Sequence, residues 1–179
     1  MKTVWITGAG GLIGSTLART APGAAHELKV VALTRDRLDL TDAAAVRSEF
    51  HRQPPQLVIH CAALSKSPAC EANPRLARNL NVGVTALLAE LAAEIPLVFL
   101  STDLVFDGRA GNYAEEAAVN PLSVYAETKA AAEQVLRANP RHLIVRTSLN
   151  GGRSPTGDRG FNEQIRRAWQ AGQTLSLFT

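Results

Sequence analysis

Short apolar runs alternate along the chain with segments in which apolar residues recur at helical spacing. The runs are rich in β-branched residues and predict five buried strands, at 3–7, 27–34, 56–60, 96–101 and 142–146. The amphipathic segments predict helices from residue 12 onwards and at 43–52, 73–94, 123–138 and 161–171. A further strand is predicted to begin within 173–178.

Strict alternation of strands and helices predicts an α/β fold, specifically a Rossmann-type doubly wound parallel sheet with helices on both faces. Ligands of such sheets bind beyond the carboxyl ends of the strands, where the strand order reverses. Residues 8–14, 34–37, 61–63 and 101–103 follow four predicted strands. We therefore expect these segments to converge on one crevice.

A glycine-rich turn separates the first predicted strand from the first helix, with the spacing Gly8-x-x-Gly11-x-x-Gly14. Glycine lets the backbone turn tightly and lets a pyrophosphate approach main-chain N–H groups at the helix start. The turn therefore predicts a dinucleotide site, and the alternative is a glycine-rich turn that binds nothing. The residues expected to contact the cofactor here are Gly8, Gly10, Gly11, Leu12, Ile13 and Gly14.

The end of the second strand bears on the choice of cofactor, because an acidic residue about 20 positions after the glycines usually holds the ribose 2′-hydroxyl of NAD. Uncharged Thr34 stands there, followed by Arg35 and Arg37, whose guanidinium groups can pair with a 2′-phosphate. This pattern favours NADP(H). Asp36 keeps NAD(H) open, and the alternative is that both arginines are simply solvated.

Composition narrows the class of protein. The 179 residues suit one domain, and 46% hydrophobic and 20% charged residues are ordinary for a globular protein. The net charge is +3 with scattered basic residues, which argues against a nucleic-acid partner. No apolar stretch has membrane-spanning length and no signal-peptide pattern is present, so we expect a cytoplasmic protein with reduced Cys61 and Cys70 and no metal site.

Tyr125 and Lys129 stand four residues apart in a predicted helix and share one face. A lysine ammonium beside a phenol stabilises the phenolate and lowers its pKa, so that the tyrosine can exchange a proton with a substrate carbonyl or alcohol. Thr102, or its neighbour Ser101, can hydrogen-bond the substrate oxygen. The alternative is a helix face that carries Tyr and Lys incidentally.

Two longer motifs extend this picture: STDLVFDG at 101–108 and NPLSVYAETK at 120–129. Both resemble the extended short-chain dehydrogenase/reductases, specifically the dTDP-4-dehydrorhamnose reductase branch, with Leu104 and Ala126 in place of a usual tyrosine and glycine. The resemblance implies a catalytic trio of Thr102, Tyr125 and Lys129, with Tyr125 and Lys129 also contacting the cofactor. It further implies adenine contacts from Asp39 and Leu40, cofactor packing by Cys61, Ala62 and Ala63, and substrate contacts from Thr102, Asp103, Val105 and Phe106.

The resemblance implies an NADP(H)-preferring oxidoreductase that reduces a nucleotide-linked 4-keto sugar. It also allows the protein to be a homodimer. The HCAA sequence at 60–63 is nearer the regulatory β subunit of methionine adenosyltransferase, and we expect His60 to be structural. A cofactor-binding regulatory subunit and a nucleotide-sugar epimerase or dehydratase therefore stay open. Residues 1–150 are expected to form the NAD(P)-binding Rossmann domain, and 151–179 the start of an incomplete C-terminal substrate lobe.

Overall fold

A parallel five-stranded sheet forms the centre of the protein in a computed structural model, which describes residues 1–148 and 150–174. Each strand lies within one residue of its predicted position at both ends. The further strand that is predicted to begin within 173–178 lies almost entirely outside the described residues. The strands are β1 Lys2–Thr7, β2 Leu28–Leu33, β3 Leu57–His60, β4 Leu97–Thr102 and β5 Leu143–Thr147.

Helices fill the connections between the strands. They are α1 Leu12–Ala24, α2 Ala43–Arg52, α3 Ser67–Ala72, α4 Pro74–Arg78, α5 Val84–Leu91, α6 Val124–Arg137 and α7 Phe161–Gln170. A π-helical turn, Asn79–Gly83, joins α4 to α5, so the single helix predicted over 73–94 has three parts. The sequence analysis did not predict α3, because six residues are too few to show helical periodicity.

The strand order is β2-β1-β3-β4-β5, with every described pairing parallel. The chain runs outward from β1 to β2 and then crosses to β3 on the other side of β1. The order therefore reverses between β1 and β3, and the carboxyl ends of these strands border the ligand-binding crevice of such sheets.

Both faces of the sheet are covered, as β1 shows most directly. Trp5 packs into the main core with side chains from α2, α5 and α6. Its neighbours Val4 and Ile6 point to the opposite face and are just as deeply buried. This burial confirms the predicted doubly wound α/β class. In the described part of the chain, no helix combines the length and apolar character needed to cross a membrane.

Candidate active site

The glycine-rich turn is pressed against the loop that follows β3. Gly8 adopts a left-handed φ of +65°, and a methyl group added to it would lie 2.6 Å from the Ala62 amide nitrogen. A methyl group on Gly14 would lie 2.4 Å from the Gly8 carbonyl oxygen. Packing alone therefore excludes side chains at these two positions, because all the atoms they would meet belong to the backbone.

Gly10 has no such structural reason to be glycine. Its φ is not left-handed, and a methyl group there would approach only the Thr34 side chain, at 4.0 Å. The exposed backbone at Gly10 precedes Gly11, which begins α1 without a side-chain cap. Open backbone followed by uncapped helical N–H groups fits a pyrophosphate.

We call the open backbone from Gly10 to the start of α1 the glycine cradle. The end of β2 lies beside it, since the Thr34 side chain is the group nearest to Gly10. The Thr34 carbonyl accepts hydrogen bonds from the Arg37 and Leu38 amides, which turns the chain. Arg35 and Arg37 are both exposed, and Arg37 Nη1 donates to the Ala32 carbonyl at 3.3 Å. Neither guanidinium forms an ion pair with a described residue. Both charges are thus available next to the glycine-rich turn.

The two residues expected at the adenine differ in their surroundings. The Asp39 carboxylate is exposed and accepts hydrogen bonds from the Thr41 amide at 2.9 Å and the Thr41 hydroxyl at 2.7 Å. Leu40 packs against the main core. Asp39 is therefore fixed by a local turn, and Leu40 serves packing at least in part.

His60, at the end of β3, is completely buried and has a hydrogen-bond partner on each ring nitrogen. Its Nδ1 lies 2.7 Å from Thr7 Oγ1 and its Nε2 lies 3.1 Å from Thr85 Oγ1. Because Thr85 Oγ1 donates to the Asn81 carbonyl, it accepts from His60, which assigns the proton to Nε2. Burial and the nearby Lys129 charge lower the pKa of His60 to about 3, so the imidazole is neutral and structural.

The loop after β3 carries Cys61, Ala62 and Ala63 into the crevice. The Ala62 amide donates to Thr7 Oγ1 at 3.3 Å, and burial raises the pKa of the Cys61 thiol to about 12. Cys61 and Ala62 are half-buried and Ala63 is exposed, a gradient that fits packing against a bound cofactor.

Asn81, on the π-helical turn, is a residue that the sequence analysis missed. Its amide binds both the N–H and the C=O of Leu64, at 2.7 and 3.1 Å, and donates to Thr128 Oγ1 at 2.9 Å. This one buried side chain joins the loop after β3 to α6. No periodicity indicates it, because its partners lie 17 and 47 residues away.

Lys129, in α6, is only 2% exposed and lies at the carboxyl end of β4. Its Nζ donates to the Leu100 carbonyl at 2.6 Å and sits 3.8 Å from the centre of the Phe99 ring. Burial lowers the pKa of Lys129 to about 7, against opposing effects of Cys61 and Glu133. Cys61 is close enough to influence Lys129, and its carbonyl carbon would lie 2.8 Å from a methyl group on Gly8. Lys129 and the glycine turn therefore share one end of the sheet, as predicted.

The expectation that Lys129 lowers the pKa of Tyr125 is wrong for this structure. Burial, followed by the effects of Cys70 and Asp103, raises the pKa of Tyr125 to about 12. The physical reason is that the Lys129 ammonium is held on the Leu100 carbonyl, whereas burial and the acidic neighbours Cys70 and Asp103 oppose ionisation of the phenol. Near neutral pH the phenol therefore keeps its proton, which is the form required of a general acid.

Thr102 ends β4, and its hydroxyl begins the short 3-10 turn Asp103–Val105. Thr102 Oγ1 accepts from the Leu104 amide and donates to Asp103 Oδ1, both at 3.2 Å. Ser101, the other candidate hydroxyl, points instead to Glu133, to which its Oγ donates at 2.6 Å. Both candidate hydroxyls thus donate to a carboxylate, Ser101 by the shorter bond.

A pocket of about 490 Å³ opens next to this turn. Of the four predicted substrate contacts, Asp103 and Phe106 line this pocket, whereas Thr102 and the fully buried Val105 do not. Phe106 stacks on Tyr113 with ring centres 4.4 Å apart, and Tyr113 donates to Asp107 at 2.6 Å. The exposed side chains of Leu104 and Leu122 give the pocket an apolar edge.

Comparison with known proteins places this geometry in a family. The model of the RmlD substrate binding domain matches residues 1–179. The chain belongs to this RmlD family. It is 40% identical over 153 residues to a dTDP-4-keto-6-deoxy-D-glucose reductase of Streptomyces niveus, covering 83% of this chain and 52% of that protein. The resemblance to dTDP-4-dehydrorhamnose reductases is thereby confirmed at the level of the family.

Two further relatives of this RmlD-family chain are informative. The β subunit of methionine adenosyltransferase 2 of Danio rerio is 33% identical over 154 residues, covering 83% of this chain and 48% of that protein. A Bacillus anthracis dTDP-4-dehydrorhamnose reductase, solved in complex with NADP, superposes with a TM-score of 0.83 at 28% identity, covering 95% of this chain and 60% of that chain. The chain thus spans about half the length of these curated relatives.

Behind Thr102, Tyr125 and Lys129, the RmlD-family chain contains an ion pair that the sequence analysis also missed. Glu133, in α6, is 1% exposed and accepts from Arg146 Nε at 3.0 Å and Arg146 Nη2 at 2.7 Å. Burial raises the pKa of Glu133, but the Arg146 and Ser101 hydrogen bonds and the charges of Arg146 and Arg137 lower it by more. The carboxylate is therefore ionised at neutral pH.

No group of three or more His, Cys, Asp or Glu side chains able to hold a metal ion occurs among residues 1–148 and 150–174. The donors gathered at the crevice are instead hydroxyls, backbone amides and cations. That donor set suits an anionic dinucleotide.

Proposed function

We propose that this chain forms the NAD(P)-binding and catalytic part of a reductase acting on a keto group of a nucleotide-linked sugar, of the dTDP-4-dehydrorhamnose reductase type. The observation that carries the proposal is the placement of Thr102, Tyr125 and Lys129 at the same end of the sheet as the open glycine cradle. The reductase among its relatives supports it. In this proposal residues 1–150 bind the cofactor and 151–179 begin the substrate lobe.

The residues would divide the work as follows. The backbone from Gly10 to the start of α1 holds the pyrophosphate, and Lys129 holds the nicotinamide ribose hydroxyls. When bound, the reduced nicotinamide supplies the hydride that reaches the carbonyl carbon. Thr102 orients the carbonyl oxygen, and Tyr125 donates its proton to that oxygen, for which its raised pKa keeps it protonated.

Replacing Tyr125 by Phe in the full-length protein tests the proposal. The ring still packs, so NADPH binding should survive, while reduction of a dTDP-4-keto sugar should slow by roughly 10²–10⁴ because general acid catalysis is lost. Lys129→Ala should weaken both turnover and NADPH binding, and Thr102→Val should slow turnover alone. Unchanged turnover by Tyr125→Phe would remove Tyr125 from the role of proton donor.

We infer that the cofactor is NADP(H) rather than NAD(H), because Arg35 and Arg37 are exposed beside the cradle next to an uncharged Thr34. A charge-assisted hydrogen bond to a phosphate contributes about 1.5–3 kcal/mol, or roughly tenfold to a hundredfold in affinity. Arg35→Ala with Arg37→Ala should therefore weaken NADPH binding by that factor and leave NADH binding unchanged. Arg19→Ala, at an exposed position late in α1, is the matched control. Equal NADPH affinity in the double variant would assign both arginines to solvent.

A second function is favoured by the 33% identity to a methionine adenosyltransferase β subunit and by the HCAA sequence at 60–63, which resembles that of such subunits. In that case the chain would bind the dinucleotide as part of a regulatory subunit with little turnover. Steady oxidation of added NADPH in the presence of a keto sugar distinguishes the two functions. A full-length protein that binds NADPH and reduces no keto sugar would make the regulatory function the better proposal.

A further inference from the structure

Two side chains one helical turn apart clamp α6 to consecutive residues of β4. Lys129 Nζ donates to the Leu100 carbonyl at 2.6 Å, and the Glu133 carboxylate accepts from the Ser101 hydroxyl at 2.6 Å. The next residue along β4 is Thr102. The two contacts therefore fix the position of α6, which carries Tyr125, relative to the strand end that carries Thr102.

Glu133 also sets the electrostatic surroundings of Lys129. Besides Glu133 on α6, two titratable groups interact with Lys129. They are His60 at the end of β3 and Cys61 in the loop after it. His60, with a pKa of about 3, and Cys61, with a pKa of about 12, are both uncharged near neutral pH. Glu133 is therefore the ionised acid that favours the charged form of the buried lysine.

Arg146 extends the arrangement from the helix to the pocket. It holds both Glu133 oxygens, donates through Nη1 to the Glu115 carbonyl at 3.0 Å, and lies with its guanidinium carbon 4.9 Å from the centre of the Phe106 ring. Phe106 is part of the pocket wall. One buried ion pair thus contacts the strand next to Thr102, the helix of Tyr125 and Lys129, and the aromatic wall of the pocket.

We propose that Glu133, held by Arg146, is a positioning residue that keeps Lys129 charged and fixes α6 against the Ser101–Thr102 end of β4. The proposal rests on the proposed function for its consequence in turnover. Its electrostatic part is a property of the protein without cofactor or substrate, so the two proposals fail separately. Two variants discriminate its parts: Glu133→Gln removes the charge at nearly constant size, and Ser101→Ala removes one hydrogen bond and keeps the charge.

The decisive measurement is the titration of the Lys129 ammonium by NMR in lysine-labelled protein. The chain has four lysines, at positions 2, 29, 66 and 129, so the spectrum is simple and Lys129→Arg assigns the signal. We expect the Lys129 midpoint to move to lower pH in Glu133→Gln and to stay in place in Ser101→Ala. An unchanged midpoint in Glu133→Gln would overturn the electrostatic part, since a merely structural glutamate leaves the lysine alone.

Removing Glu133 alone leaves the half-buried Arg146 guanidinium without its carboxylate partner, which is destabilising. If Glu133→Gln does not fold, the double variant Glu133→Gln, Arg146→Met removes both charges and takes its place. We expect this double variant to fold. Because it also removes the Arg146 cation, whose loss favours the charged lysine, its Lys129 midpoint is compared with that of Arg146→Met alone and should lie at lower pH. Equal midpoints in the double variant and in Arg146→Met would overturn the proposal.

Turnover of the full-length protein tests the positioning part. At a pH below the lowered midpoint, where Lys129 is charged in every variant, we expect Glu133→Gln and the double variant to lose kcat with little change in NADPH affinity. Rescue of kcat by Glu133→Asp, which restores the charge, supports the proposal. Wild-type kcat in the double variant at that pH would show that the clamp does not position the catalytic groups.

Discussion

At the residue scale, the polar side chains buried around the crevice find specific partners, and each partner limits what the side chain can do. His60 has a hydrogen bond at each nitrogen and is held neutral, so it cannot act as a base at physiological pH. Ser101 donates its hydroxyl proton to Glu133 at 2.6 Å, whereas the Thr102 hydroxyl makes a longer bond of 3.2 Å to Asp103. Packing requires glycine at positions 8 and 14, whereas it leaves room for a side chain at Gly10.

His60 predicts a loss of stability on acidification. Its pKa is near 6.5 in the unfolded chain and about 3 in the folded protein, so between these values the unfolded chain binds more protons. Stability therefore falls as the pH drops below 6.5, by up to about 1.4 kcal/mol per pH unit from this group. Urea unfolding at pH 7 and pH 5 measures the loss, which should be smaller in His60→Gln.

His142 is the matched control for this prediction, because burial also lowers its pKa although the residue is only half-buried. We expect His142→Gln to reduce the acid-dependent loss less than His60→Gln does. Equal losses in wild type and His60→Gln would mean that His60 titrates normally in the folded protein.

The glycine turn predicts opposite effects of alanine at two kinds of position. Gly8→Ala and Gly14→Ala place a methyl group within 2.6 Å of backbone atoms, so each should destabilise the protein by at least about 2 kcal/mol. Gly10→Ala should change stability by less than about 1 kcal/mol. It should nevertheless weaken NADPH binding about tenfold or more, because the methyl group occupies the open cradle.

Urea unfolding and NADPH titration of the three variants provide the two measurements. A Gly10→Ala protein that binds NADPH as tightly as wild type would show that the dinucleotide does not approach this backbone.

At the element scale, the segment from Gly151 to the start of α7 is organised by one buried carboxylate. Glu163 accepts from the Ser154 amide at 2.8 Å, the Ser154 hydroxyl at 2.6 Å, and the Arg159 and Gly160 amides at 3.1 and 3.0 Å. These bonds, first those from Ser154 and Gly160, lower the pKa of Glu163 to about 2. The loop also lies close to α1, since a methyl group on Gly152 would be 3.3 Å from Leu12.

Glu163→Gln should loosen this loop, because an amide presents one acceptor oxygen where the carboxylate presents two and turns a donor towards four donors. Trypsin measures the effect directly, since Arg153 and Arg159 stand in the loop. We expect faster cleavage after these arginines than in wild type, with exposed Gln164→Ala as the control. Identical cleavage rates would show that Glu163 does not hold the loop closed.

At the scale of the whole molecule, every group proposed to hold the cofactor lies in the segments that directly follow β1, β2 and β3, apart from Tyr125 and Lys129 on α6. The sheet places these groups at one end because all described strands run parallel. The cofactor should therefore bridge β2, β1, β3 and α6 and stabilise the folded state as a unit.

We expect NADPH at a hundred times its Kd to raise the free energy of unfolding by about 2.7 kcal/mol. For a domain of this size that is roughly 5–10 °C in Tm. Thermal unfolding of the 179-residue chain with NADPH, and with NADH at the same concentration as the comparison, measures the effect. The absence of a shift with either cofactor would contradict the assignment of the complete cofactor site to residues 1–150.

The sequence by itself determined the framework of this protein. All five strands were predictable because buried strands are short runs of β-branched and apolar residues, and α2 lies at its predicted residues 43–52 because Asp42 caps it through the Ala45 amide. The glycine turn and the Tyr125–Lys129 pair were recognisable because their chemistry depends on fixed spacing within one element. Their roles in binding and catalysis stay predictions.

Tertiary structure alone decided the features that join distant parts of the chain. Glu133 and Arg146, and Asn81 with Leu64 and Thr128, belong to different elements, and no local pattern relates them. The pKa of Tyr125 was mispredicted for the same reason. Helical spacing gives a lysine and a tyrosine a common face, whereas the phenol's ionisation depends on burial, on Cys70 and Asp103, and on the Leu100 carbonyl that holds the lysine.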